Sequence, residues 1–218
     1  MGATYVRAAD LPQVIPLFPL DGVLLLPRGS LPLNIFEPRY LNMIDDAMAG
    51  DRIIGMVQTG PGGDPTRPGL ARVGCAGRIT SYAETSDGRY IITLTGICRF
   101  TVGDELPVHA PYRQVRADFA PFEDDLQPAP EATARERTAL LSALKAYLEH
   151  SGLDIDWRTA EEAPLESLVN SLAMALPFEA AEKQALLEAE TPALRRSALT
   201  ALMRIDAAQD DDAPPSIQ

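Results

Sequence analysis

The stretch SYAETSDGRYIITLTGICRF, residues 81–100, decides the fold class. Asp87-Gly88 lies between two apolar-alternating runs, and Gly88 takes φ > 0 without steric penalty, so the stretch reads as a β-hairpin. On the second strand Tyr90, Ile92 and Leu94 alternate with Arg89, Ile91 and Thr93. One face is apolar and the other mixed, the pattern of a strand in a small barrel. Gly96, inside the same run, marks a bulge or sharp bend that lets a long strand curl.

Strand patterning extends outward from this hairpin. Further strands are expected over 14–18, 31–36, 52–58, 71–83 and 112–119, with 89–102 as the second hairpin strand. The segment TGPGGDPTRPG (59–69) reads as a mobile surface loop, because its glycines and prolines break regular structure. It lacks the Lys-Ser/Thr ending of a phosphate-binding loop. Near Glu123 the character changes to an acidic, proline-containing linker, and the periodicity then becomes helical. Leu140, Leu141, Leu144, Tyr147 and Leu148 form one stripe, and Leu165, Leu168, Val169, Leu172 and Leu176 form another. A shorter helix spans 179–189. The last, starting at Pro192, is expected to turn Leu194, Ala198, Leu202 and Ile205 inward. Four helices with short connections read as a bundle. The expected organisation is a loose arm (1–12), a β domain (13–122), a linker (123–132), a helical bundle (133–206) and a disordered acidic tail (207–218).

The segment LPLNIFEPRY (31–40) joins strand to helix. Pro38 suits the first helical position, where its missing N–H has no intrahelical partner. Glu37 at the N-cap complements the helix dipole. Leu41, Ile44 and Met48 make the apolar stripe, widened by Met43 and Ala47, and Gly50 ends the helix. Arg39 opposes the dipole. It either serves as a structural ion pair or hydrogen-bonded strut, or it contacts a ligand.

Composition narrows the function classes. The formal net charge is −12, which argues against a nucleic-acid partner because phosphate contacts need a basic face. No apolar run approaches the roughly 20 residues of a membrane span. Without an evident signal peptide the chain reads as cytoplasmic. Cys75 and Cys98 read as buried apolar side chains rather than a disulfide or a metal site. Only His109 and His150 could join them, at no zinc spacing. His109 reads as an exposed loop residue and His150 as a favourable charge at a helix C-terminus.

A family resemblance rests on three blocks. IPLFPLDGVLLLPRGSLPLNIFEPRYLNMIDDAMAGDRIIGMV (15–57), VGCAGRITSYAETSDGRYIITLTGICRFTV (73–102) and PYRQVRADF (111–119) occur in order. Together they resemble the amino-terminal, substrate-binding domain of Lon protease over roughly residues 13–122. The resemblance implies an α+β protein: a PUA-like pseudo β-barrel with one short helix, followed by a small C-terminal helical bundle. It also implies binding of unfolded or partly folded polypeptide. The ATPase and peptidase of the full-length bacterial protease are not expected here. No GxxxxGK[ST] occurs, and the only lysines, Lys145 and Lys183, fall in amphipathic helices.

The reading is therefore a non-catalytic protein-binding module without cofactor or metal. Two routes to binding are open: strand addition at a sheet edge, or an apolar cleft to which Met43, Met48 and Met56 contribute. Phe36, Arg39, Tyr40 and Met43, at the strand-to-helix corner, are the candidate peptide-binding residues. An RNA-binding PUA-like protein is the alternative; it would require Arg72, Arg78, Arg89, Arg99, Arg113 and Arg116 to share one face. Hydrolysis finds no nucleophile placed beside a base.

Overall fold

The computed structural model of the chain describes residues 5–64, 66–107, 109–128 and 133–208. Eight strands are described: β1 (Val14–Pro19), β2 (Ser30–Ile35), β3 (Ile53–Val57), β4 (Thr59–Asp64), β5 (Arg67–Leu70), β6 (Val73–Glu84), β7 (Tyr90–Glu105) and β8 (Arg113–Asp118). The main sheet runs β2-β7-β6-β3-β1-β8, and β8 pairs back onto β7. β7, β6, β3, β1 and β8 thus form a closed ring, and among the described residues β2 pairs with β7 alone. Only the β1–β3 pairing is parallel.

β7 serves both β2 and β8 because it bends. Its register against β6 slips between Ala76↔Cys98 and Gly77↔Gly96, leaving Ile97 as the extra residue. This is the bulge expected at Gly96. The hairpin turn also forms as expected: Thr85 N–H donates to Arg89 O at 2.9 Å, and Gly88 has φ +79. Inside the ring Ile15, Leu17, Phe100 and Val115 are fully buried. Phe100 fits because Gly55 and Gly74 face it. A Cβ at either glycine would stand 2.8 Å from Phe100 Cζ. Cys75 and Cys98 are buried thiols, and burial pushes the Cys98 thiol up to about 12.

The segment 59–69 departs from expectation. Residues on either side of its tip form the two-stranded ribbon β4–β5, with a register shift between Gly60 and Gly63. The residues read as breakers are what permit it. Gly62 and Gly63 have φ +89 and +76, values that glycine tolerates best. A Cβ at Gly69 would lie 2.2 Å from Pro61 O. Asp64 Oδ1 accepts from Thr66 N–H (2.8 Å) and Arg67 N–H (3.0 Å), holding the tip.

The domain layout also differs. The described residues fall into two compact units, one within Met1–Pro128 and Ala173–Glu188, the other within Ala129–Leu172 and Ala189–Gln218. Helix α1 (Pro38–Ala49) and helix α5 (Ala180–Glu188) belong to the first. α5 therefore leaves the expected 133–206 bundle and joins the barrel. The side chains explain why. Gln184 Nε2 donates to Val73 O (3.1 Å), and Gln58 Nε2 donates to Ala180 O (3.0 Å). Lys183, which burial pulls below the usual lysine range, donates through Nζ to Gly22 O at 2.9 Å.

The expected linker is partly ordered as a 3-10 segment, Ala120–Leu126, whose Asp125 pairs with buried Arg99. The expected loose arm, in its described part, is docked. Tyr5 OH accepts from Arg78 Nη1 (2.8 Å), and Ala8 N–H donates to Glu123 Oε1 (2.9 Å). Most of the expected acidic tail, residues 209–218, lies outside the described residues.

The second unit contains α2 (Ala134–Ser151), α3 (Trp157–Glu162), most of α4 (Leu165–Ala175) and α6 (Pro192–Ala208). Thr133 and Glu136 cap α2 reciprocally, satisfying N–H groups that the helix itself leaves open. Gly152 closes it with φ +66. The stripes of α2 and α4 point inward as expected. That of α6 does not: Leu194 and Ile205 are about half exposed, whereas Arg195, Leu199 and Met203 are buried. Arg195 takes a core position with its guanidinium on Asn170 Oδ1 at 3.3 Å. A hydropathy stripe cannot anticipate an inward arginine.

Candidate functional site

The strand-to-helix corner is built as expected and adds a feature the residues alone did not reveal. Glu37 is the N-cap of α1 and Pro38 occupies its first turn. The Glu37 side chain caps no backbone group. It pairs instead with Arg39, 2.7 Å from Nη2 and 2.9 Å from Nε. The Arg39 guanidinium lies 4.5 Å over the Tyr40 ring, and that ring packs 4.3 Å from Phe18. Arg39 is thus the expected ion-paired strut, yet it remains exposed.

The four candidates have different fates. Phe36 is 62% exposed, an unusual value for a phenylalanine. Arg39 is exposed. Tyr40 is mostly buried and presents only part of its ring; burial pushes its phenol up, against the opposing pull of Arg39. Met43 is fully buried and cannot touch a ligand. Met56 is buried as well, so the anticipated methionine-lined cleft does not form.

Two surfaces meet at this corner. The first is the outer edge of β2. Among the described residues β2 pairs only with β7, through Leu31↔Leu94, Leu33↔Ile92 and Ile35↔Tyr90. Pro32 has no N–H to give the ladder, a property confined to edge strands. Beside this edge Ile91, opposite Asn34, is 50% exposed, and Phe36 follows the strand directly.

The second surface is a cleft of about 190 Å³ lined by Arg39, Tyr40, Arg67, Pro68, Tyr112 and Arg113, among others. A neighbouring hollow of about 340 Å³ shares Arg39, Arg67, Tyr112 and Arg113 and adds Leu106 and Pro107. Arg113 donates from Nε and Nη2 to the two Glu105 oxygens, each at 2.9 Å, and from Nη1 to Pro68 O at 2.7 Å. Arg67 pairs with the same carboxylate. Glu105 thereby ties the β4–β5 ribbon to the barrel. Tyr112 OH donates to Asp46 Oδ2 at 2.6 Å; burial, and then this carboxylate, push the phenol up to about 12.

These charges predict a pH response. Burial alone would raise Glu105, but the hydrogen bonds from Arg113 and Arg67 outweigh it and leave the carboxyl below its ordinary value of 4.5. A depressed folded-state value contributes stability above the unfolded value, lost as pH falls through the folded one. Acid titration followed by the Arg113 Nε–H nuclear magnetic resonance signal should keep the ribbon anchored at pH 5. It should release it with a midpoint below 4.5; a midpoint at or above that value would contradict the assignment.

Sequence reasoning missed Arg67, Glu105 and Tyr112, which converge from β5, β7 and the approach to β8. No local signal joins them. Four of the six arginines weighed for an RNA face are engaged in different ways. Arg99 is buried on Asp125, Arg89 pairs with Asp87, Arg113 pairs with Glu105, and Arg78 donates to Tyr5. His109 is exposed, and His150 lies in the last turn of α2. No group of three or more His, Cys, Asp or Glu residues is placed to hold a metal, and no helix is long and apolar enough to cross a membrane, among the described residues.

Comparison with known proteins places this geometry. The model of the family "ATP-dependent protease La (LON) substrate-binding domain" matches residues 14–204. The chain belongs to that family. Among curated relatives, Lon protease 2 of Myxococcus xanthus is 32% identical over 115 residues, covering 52% of this chain and 14% of that protein. The Lon protease of Trichlorobacter lovleyi is 27% identical over 199 residues, 88% of this chain and 24% of that protein. The chain therefore spans at most about a quarter of these two relatives. Among solved structures, a Lon N-terminal domain protein from Xanthomonas campestris superposes with a TM-score of 0.62 at 21% identity, covering 86% of this chain and 97% of that one. The N-terminal domain of Mycobacterium avium complex Lon protease gives a TM-score of 0.58 at 18% identity, covering 87% of this chain and 97% of that one. The α+β fold is that of Lon N-terminal domains.

Proposed function

We propose that this chain is a non-catalytic polypeptide-binding module of the bacterial cytoplasm, which takes extended segments of unfolded or partly folded proteins without cofactor, ATP or peptide-bond cleavage. Phe36, Arg39 and Tyr40 form the receiving corner. Met43 packs beneath it as core. The observation that carries the reading is the open β2 edge with Phe36 and Ile91 exposed beside it. Strand addition there supplies backbone hydrogen bonds with little sequence demand, and neighbouring apolar side chains add affinity. The acidic balance of the chain favours polypeptide over nucleic acid as the partner.

The test is fluorescence anisotropy with labelled, reduced and carboxymethylated α-lactalbumin, which stays unfolded. Saturable binding is expected. Phe36→Asp combined with Ile91→Asp should weaken it roughly tenfold, since two apolar contacts are lost, while the circular dichroism spectrum is retained. Parallel incubation with casein and ATP should yield neither fragments nor ADP. Absence of binding to the unfolded chain would overturn the reading.

A further inference from the structure

The cleft beside the corner carries an inference that rests on the polypeptide reading and sharpens it. Its lining presents three guanidinium groups, Arg39, Arg67 and Arg113, and no carboxylate. Glu37 and Glu105 pair with these arginines without lining the cleft. Asp46, Asp64 and Asp21 likewise hydrogen-bond to the lining residues Tyr112, Thr66 and Thr59 without lining the cleft, so it is the guanidinium faces and not a net local charge that meet a ligand. Donors remain for a ligand. Among the described residues Arg39 hydrogen-bonds through Nε and pairs through Nη2, and Arg67 donates from its side chain through Nη2. The other guanidinium N–H groups of both make no hydrogen bond to the described residues.

We propose that this cleft binds a carboxylate of the bound polypeptide, with Arg39 and Arg67 as the groups that receive it and Arg113 as the fixed charge behind them. Arg113 is locked by Glu105 and Pro68 O, so it supplies field rather than reach. Arg39 and Arg67 are 48% and 60% exposed at their side chains and free to close on an anion. A guanidinium fork matches a carboxylate in two parallel hydrogen bonds. The walls suit a peptide end. Leu17, Pro19, Pro68 and Pro111 are apolar, and about 190 Å³ accommodates a carboxylate with little more than one side chain. A terminal carboxylate is a single charge, whereas a polyphosphate would be repelled by the rest of this acidic chain.

Three pools of fluorescein-labelled random octapeptides built without Asp test the proposal against immobilised full-length protein. The first also lacks Glu and ends in a free carboxylate, the second is the same pool as carboxamide, and the third is a carboxamide pool with one internal Glu. The first pool should be retained about tenfold better than the second, the scale expected of charge-assisted hydrogen bonds. The gap should close in the Arg39→Gln, Arg67→Gln double variant, with an unchanged circular dichroism spectrum as the check on folding. A third pool that behaves like the first assigns the site to carboxylates in general. One that behaves like the second assigns it to the chain end. Equal retention of all three pools overturns the carboxylate site and leaves polypeptide binding standing. So does a gap that persists in the double variant. If no pool is retained the carboxylate site fails, and the α-lactalbumin titration decides whether the polypeptide reading fails with it.

Discussion

Asp125→Ala is expected to cost about 3–5 kcal/mol of stability in urea unfolding, the scale of removing one partner from a buried ion pair. Arg99 and Asp125 are 3% and 6% exposed at their side chains. The carboxylate accepts from Arg99 Nε and Nη2, each at 2.8 Å, and from the Arg99 backbone N–H at 3.0 Å. Arg99 Nη1 donates to Leu187 O at 3.0 Å, and the guanidinium sits 4.6 Å over Phe122. One ion pair thus fastens β7, the 3-10 segment and α5. Removing the carboxylate takes from the buried guanidinium its ion-pair partner and from the Arg99 backbone N–H the acceptor at 3.0 Å. The double variant Arg99→Met, Asp125→Leu removes both charges while keeping volume. It should recover much of the loss, because apolar replacement of a buried pair is often neutral. If the single variant unfolds within about 1 kcal/mol of the parent, the clasp is not what holds these elements together.

The features that were legible in the sequence are those whose cause is local. Asp87-Gly88 specifies its turn within a few residues, Gly96 its bulge, and Pro38 the start of α1. The features that were not legible depend on distant partners. Gly60, Gly62 and Gly63 look like chain breakers until Arg67–Leu70 lies alongside them as a paired strand. Arg195 belongs on the polar side of α6 by hydropathy and is turned inward by Asn170, on another helix. α5 reads as a bundle helix because its pattern says nothing of what it faces; Gln58 and Val73, more than 100 residues away, decide that. The candidate site divides in the same way. Phe36, Arg39 and Tyr40 could be named as candidates because one turn of chain holds them. Arg67, Glu105 and Tyr112 could not, because only closure of the barrel brings them to Arg39.

Gly96→Ala should be the most damaging single-methyl change at the bend, lowering stability by about 3 kcal/mol in the same urea assay, at the upper end of overpacking costs. A Cβ at Gly96 would stand 2.0 Å from Leu26 O and 2.8 Å from Leu26 C, so the obstacle is backbone rather than a side chain that can swing away. The approach is held from both sides: Arg28 N–H donates to Gly96 O at 2.8 Å, and Gly96 N–H to Gly29 O at 2.9 Å. Gly88→Ala is the control. It adds the same methyl at φ +79 with nothing within 4 Å, so it incurs only the backbone cost of a left-handed residue, about 1 kcal/mol. The two substitutions should therefore separate by roughly 2 kcal/mol, steric clash against dihedral strain. The consequence reaches function through the chain that Gly96 admits. Gly29 leads directly into β2, whose outer edge is the proposed receiving strand. A displaced Gly29 shifts the β2 register against β7, and a one-residue slip would turn buried Ile35 and half-buried Leu31 and Leu33 to the opposite face. Any folded fraction of Gly96→Ala should then bind carboxymethylated α-lactalbumin more weakly than Gly88→Ala does. Equal affinity in both would mean that the β2 edge is not where the polypeptide docks.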